Sequence, residues 1–300
     1  MFVLLYVDGI IIHLKTWLSH MAAAGRVSKS KIEEYPLQSL VFDTYNPIQP
    51  SYARNVSFHS AALKKQHPLY HTVAEFYEMS AEEDMPQVSR FIPDACVDMT
   101  FQYAPGKVTG VVCGNYSTII EVHREQYNLM FGIRLHPGAA PSVLGIPANK
   151  LAGNHYYVES SIMNLMKKAD TFSERIRIME EYMADRIDSK RPLLLDYCIN
   201  SIINNSVGLR INELAQETGY SDRYIRKVFE QYVGFSPKTV SEIVRFQKAF
   251  IYLERTHLTR CEVSVQCGYY DQSHMNRAFH RFSDQRNLRQ VYVKETIRID

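Results

Sequence analysis

The sequence predicts an α+β chain: a mostly antiparallel β domain with a helical coda, followed by an all-α region holding two helix-turn-helix units. Three observations carry this. From about 38 to 136 the chain runs in short stretches rich in aromatic and β-branched residues, bounded by Pro and Gly. From Pro141 the apolar residues recur at intervals of three and four. From 209 onward one helix-turn-helix pattern occurs twice, 49 or 50 residues apart.

Composition narrows the class. The 300 residues are 46% hydrophobic and 22% charged, ordinary for a globular chain and unlike a disordered, collagen-like or multi-span membrane protein. The net charge of +2 divides unevenly, with 18 bases against 20 acids up to residue 190 and 16 against 12 from residue 191. The basic end is compatible with a nucleic-acid partner. Five scattered cysteines without a CxxC motif argue against a disulfide framework or zinc ribbon, and for free thiols in a reducing cytoplasm. Phe2–Leu14 is apolar and Ala22-Ala-Ala-Gly25 resembles a cleavage site. However, no base precedes the run, Asp8 and Gly9 interrupt it, and Lys15 ends it. Residues 1–37 therefore read as an N-terminal extension, and no membrane partner is expected.

The predicted strands are Val73–Met79, Val97–Tyr103, Ser117–His123 and Leu129–Leu135. In the second, Asp98, Thr100 and Gln102 alternate with apolar residues, predicting one wet face. Val143, Leu144, Ile146 and Leu151 predict a short helix closing the sheet. Ser161–Lys168 and Ser173–Ile187 follow as amphipathic helices, with Thr171 or Ser173 as cap and Glu174 in the first turn. The stripe Ile176, Met179, Tyr182, Met183 and Ile187 reads as core or as a dimer seam. Ser189-Lys-Arg-Pro192 marks a boundary between a sensor or dimerisation domain, 38–190, and a DNA-binding domain, 191–300. Leu193–Ile203 is the first helix beyond it.

Ile211–Thr218 then forms the first helix of a helix-turn-helix. Gly219 supplies the turn, Ser221 caps a helix beginning at Asp222, and Ile225, Val228 and Phe229 face the core. Arg223, Tyr224, Arg226 and Lys227 are left outward near the start of that helix, the end that enters a major groove. In the second copy Ser264 stands where Ala215 does, Gly268 where Gly219 does, Met275 for Ile225 and Phe279 for Phe229. Pro237–Glu254, capped by Ser236, spans roughly 27 Å between them, against ~34 Å between successive major grooves.

Residues 192–293 resemble the bipartite DNA-binding domain of the AraC/XylS family of bacterial transcription regulators. The resemblance rests on Glu213-Leu-Ala215, Gly219-Tyr-Ser221, Gly234-Phe-Ser-Pro237, Arg245 and Cys267-Gly-Tyr-Tyr-Asp-Gln-Ser-His274. It implies base contacts by Arg223, Arg226 and Lys227, then by Gln272, Ser273, Asn276 and Arg277. Ser264 and Met275 depart from the family's Ala and Phe, and the usual trailing Gly-x-Ser-Pro is missing after Phe282. Residues 38–155 resemble a sensor-like domain found in part of that family, through Ile92–Asp98, Gly132–Gly138 and Gly145-Ile-Pro147, with Ala95 where glycine is usual. The partners implied are double-stranded DNA, a second copy of the chain, RNA polymerase and a small-molecule effector.

Arg has the geometry to read guanine, and Gln272 and Asn276 that to read adenine. Lys238, Lys248 and Arg281 are better suited to phosphates. Arg134 and His136 share one strand face, either as a satisfied surface pair or as contacts for an anionic effector. Asp94 and Asp98 read as the rim of a strand. His67 and His71 have a metal-pair spacing, but Pro68 argues against a helix there, and no metal or cofactor is expected. The rival to a DNA-binding regulator is a DNA-repair alkyltransferase-like enzyme carrying the same module, with Cys96 or Cys113 as nucleophile.

Overall fold

The computed structural model describes residues 45, 47–49, 56–81, 88–123, 127–187, 191–204, 210–283 and 297–299. The predicted extension 1–37, the Ser189 boundary and the segment after Ser283 that lacks Gly-x-Ser-Pro lie outside them.

The N-terminal part is built on a seven-stranded sheet. Its strands are β1 (Val56–Leu63), β2 (Val73–Ala81), β4 (Val97–Ala104), β5 (Lys107–Cys113), β7 (Leu129–Leu135), β8 (His155–Tyr157) and β9 (Ile297–Ile299), in the order β8-β5-β4-β7-β2-β1-β9. All pairings are antiparallel except β1 with β9. β3 (Val88–Phe91) and β6 (Ile120–His123) form a separate two-stranded sheet. The predicted strand from Ser117 is thus corrected to begin at Ile120.

One face of the large sheet is apolar. Phe76, Met99, Phe101, Phe131 and Ile133 are buried there beneath α1 (Ala140–Leu144), α2 (Ala148–Leu151), α3 (Ser160–Met166) and α4 (Phe172–Ala184). Two short helices replace the single closing helix expected, because Ile146-Pro147 separates them. Of the two candidate caps, Thr171 starts α4, its hydroxyl accepting from the Glu174 N–H at 3.2 Å while the Glu174 carboxylate accepts from Thr171 N–H at 3.0 Å. Ile176, Met179 and Met183 of the stripe are buried in this core.

The opposite face departs from the wet strand expected. Glu75, Arg134 and Asp98 lie side by side across β2, β7 and β4. In the next row Tyr77 and Thr100 flank Gly132. A Cβ on Gly132 would meet the Tyr77 ring at 2.1 Å, so only glycine lets that ring lie across the strand. Tyr77 Oη reaches over to donate to Asp98 at 3.2 Å. Thr100 is buried while Asp98 and Gln102 are half-buried, so this face of β4 is only partly open to solvent.

The C-terminal part is helical: α5 (Leu193–Asn204), α6 (Ile211–Thr218), α7 (Asp222–Tyr232), α8 (Pro237–Arg255), α9 (Arg260–Gln266) and α10 (Gln272–Ser283). A single core runs through all six, and it also takes in Tyr45, Ile92 and Ala95 from the N-terminal part. Two buried amides tie the parts together. Gln247 on α8, fully buried, donates to Pro93 O at 2.9 Å and accepts from the Ile48 N–H at 3.1 Å. Asn115 donates to Val233 O at the end of α7. No helix among the described residues is long and apolar enough to cross a membrane.

Candidate nucleic-acid interface

The two helix-turn-helix units have the same local construction. In the first, Leu214 is buried, Ala215 is half-buried, and Gly219 takes the left-handed conformation at φ 70°. Ser221 Oγ accepts from the Tyr224 N–H at 3.3 Å and starts α7. In the second, Ser264 is buried and satisfies its hydroxyl on Cys261 O at 2.7 Å, and Gly268 repeats φ 70°. Asp271 Oδ1 accepts from the His274 N–H at 2.6 Å near the start of α10. Ile225, Val228 and Phe229 are buried beneath α7, and Met275, Phe279 and Phe282 beneath α10. Phe246 of α8 meets Phe279 edge-on at 5.0 Å, so the connecting helix belongs to the core of the second unit.

This burial leaves Arg223, Tyr224, Arg226 and Lys227 exposed on α7, and Gln272, Ser273 and Arg277 exposed on α10. Tyr224 stacks on Tyr220 at 5.2 Å. Asn276 is half-buried and accepts from Arg260 at 3.2 Å, so part of its amide is engaged within the unit. Lys238 is exposed, and Arg281 pairs with Glu242 at 2.8 Å. Lys248 is a correction to the phosphate reading. Its ammonium donates to Ile203 O at the end of α5, and burial lowers its pKa.

The expected effector pair has different surroundings. Arg134 is 1% exposed, with Nη1 3.1 Å from Glu75 and Nε 3.3 Å from Asp98 and 3.7 Å from Asp94. His136 is also buried; burial first, then Arg191 and His71, lowers its pKa to about 3, so it is neutral. Neither forms the surface pair considered from sequence. Asp94 is likewise buried rather than on a rim: its carboxylate accepts from Gln49 at 2.8 Å and from the Cys96 N–H at 2.9 Å. With three carboxylates around one guanidinium, Asp98 rises to about 6, through burial first, with Arg134 opposing and Asp94 adding. Ala95, at φ 60°, occupies the left-handed region where the resemblance expects glycine. Burial pushes the Cys96 thiol well up and Cys113 to about 12, so neither carries the thiolate an alkyltransferase needs. No group of three or more His, Cys, Asp or Glu among the described residues could hold a metal ion.

Residues 214–286 match the family described as a helix-turn-helix domain. The C-terminal region is an AraC-type helix-turn-helix domain. A second match, over residues 64–157, is to a domain of unknown function, DUF6597. The chain is 38% identical over 72 residues to the HTH-type transcriptional regulator Rv1931c of Mycobacterium tuberculosis (strain ATCC 25618 / H37Rv), covering 24% of this chain and 28% of that protein. It is 23% identical over 127 residues to the Msm operon regulatory protein of Streptococcus mutans serotype c (strain ATCC 700610 / UA159), covering 41% and 46%. The chain therefore spans less than half the length of these curated relatives. Among solved structures, ToxT from Vibrio cholerae is similar at 10% identity and a TM-score of 0.36, covering 75% of this chain and 94% of that one.

Within the AraC-type domain, two of the three departures noted in the second unit fall on described residues and are accommodated. Ser264 bonds to its own helix, and Met275 fills the buried position of Ile225. Sequence reasoning missed Gln247 and Asn115. Gln247 carried a signal: it shares a helical face with Ile243 and Phe250, where a polar residue needs a partner. Asn115 sits in an ordinary turn sequence and carried none.

Proposed function

We propose that this protein is a sequence-specific, DNA-binding transcription regulator that works in the cytoplasm and lays α7 and α10 into successive major grooves on one face of a duplex. The observation that carries this reading is the repeated unit. Two helices of the same construction, each with its apolar side buried and polar or basic side chains outward, are joined to one connecting helix of roughly 28 Å. Arg223, Arg226 and Lys227 meet the first half-site with Tyr224 beside them; Gln272, Ser273, Asn276 and Arg277 meet the second. The two relatives named as regulators are consistent with this reading.

The N-terminal domain modulates that binding in answer to a small effector. Its path to the DNA-binding helices is a chain of buried polar contacts. Arg134 faces Asp94, Asp94 is bonded to Gln49, and Gln49 accepts from the Ile92 N–H at 2.9 Å. The neighbouring backbone at Pro93 and Ile48 is bonded to Gln247 of α8. A shift of the central strand β7 is therefore felt by the helix that spaces the two units. Arg134 serves this path as the central cation. A second copy of the chain and RNA polymerase are the further partners of a regulator of this kind.

Selection of bound duplexes from a random pool by the full chain tests the reading. Two short conserved blocks centred about 10 base pairs apart are expected. A pool that shows no enrichment, or one block only, overturns it.

A further inference from the structure

Between α8 and α10 a cleft of about 170 Å³ is lined by Glu242, Arg245, Tyr269, His274, Arg277 and Arg281. That volume is on the scale of an engineered cavity of roughly 150 Å³ that takes a benzene-sized ligand. Its polar lining is made mostly of donors. Arg245 Nε and Tyr269 Oη are buried without hydrogen-bond partners among the described residues. Tyr269 is 7% exposed, and burial holds its hydroxyl protonated far above neutral pH. The Nδ1 of His274 accepts from the Tyr270 N–H at 3.4 Å, which leaves Nε2 as the ring's donor. Among the described residues the only carboxylate of the lining, Glu242, is already paired with Arg281 at 2.8 Å. Among the described lining residues, three guanidinium groups against one carboxylate leave two positives in excess.

Buried donors with no acceptor, beside excess positive charge, are completed by a ligand that is all acceptor and anionic. We propose that this cleft is a binding site for a phosphate group. Arg245 and Tyr269 hold it from the α8 side and the turn, and Arg281 closes on it from α10. A phosphate carries more acceptor oxygens than a carboxylate, and its double charge matches the two uncompensated positives. Such a group has two sources: a backbone phosphate of bound DNA, which rests on the regulator reading, or free phosphate and small phosphorylated molecules, which do not.

The test uses the full chain and inorganic phosphate, titrated calorimetrically in chloride buffer at constant ionic strength. Saturable one-site binding is expected, weakened about tenfold in Arg245→Gln and in Tyr269→Phe, the loss of one hydrogen bond to a charged group. Tyr269→Phe keeps the ring and its packing, so it remains informative where Arg245→Gln does not fold. Duplex affinity is then measured with and without saturating phosphate. Competition identifies the DNA backbone as the source, and simultaneous binding identifies free phosphate. If phosphate alone does not bind but both variants weaken the duplex about tenfold, the site stands as a backbone contact. A chain that binds phosphate but no DNA keeps the cleft and overturns the regulator reading. Phosphate binding unaffected by both variants overturns the proposal. So does absence of phosphate binding together with unchanged duplex affinity.

Discussion

Replacing Gln247 with Leu isolates what the buried amide contributes to the junction between the two parts. Leu is close in volume, so the packing of α8 against Pro93 and the surrounding core survives. Lost are the bond to Pro93 O at 2.9 Å and the one from the Ile48 N–H at 3.1 Å. Each partner is left without its bond, at about 1–3 kcal/mol apiece. The extra apolar burial of Leu offsets part of this, giving a net destabilisation of about 2–4 kcal/mol. For a chain of this size that is a fall in Tm of roughly 4–8 °C, read by calorimetry. Hydrogen exchange locates the effect, since the Ile48 amide should lose its protection while amides within α6 and α7 keep theirs at equal local stability. An unchanged Tm with Ile48 still protected would mean that the amide does not hold the junction, and the coupling path drawn through it fails.

Three other outcomes are expected. Phe229→Ala, at a fully buried ring, should cost about 3–5 kcal/mol in urea unfolding, and an unchanged midpoint would place α7 in the wrong phase. Arg226→Ala and Arg277→Ala should each cost about 1–3 kcal/mol of duplex affinity and relax one block of the selected site, Arg226 the first and Arg277 the second. If both blur the same base pairs, or weaken all sequences alike, these side chains meet phosphate rather than bases. The last concerns pH. Asp98 is raised from 3.8 to about 6 in the folded chain, so its contribution to stability is complete below 3.8 and is lost as pH rises through about 6. Stability of the wild type relative to Asp98→Asn should therefore fall between pH 4 and pH 6, by up to roughly 3 kcal/mol. A constant or rising difference refutes the buried cluster.

The amino-acid sequence by itself determined the helical half. Ser221 and Ser236 announce helix starts through short-range bonds to residues three positions on, and Gly219 and Gly268 mark the turns. These signals lie within a few residues of each other, so the repeat and its outward basic side chains are legible without a structure. The β half was legible only where alternation was clean. β1, β5 and β8 were not predicted because their identity depends on partners far along the chain. The same distance hid the surroundings of Arg134. Glu75 and Asp98 are 59 and 36 positions away from it, and only the register of three strands sets them side by side. Gln247 and its partners at Ile48 and Pro93, and the cleft that joins Arg245 to Arg277, were likewise decided by tertiary structure alone. Local bonds need only the neighbouring sequence, whereas burial and charge balance depend on which distant residues the fold brings together.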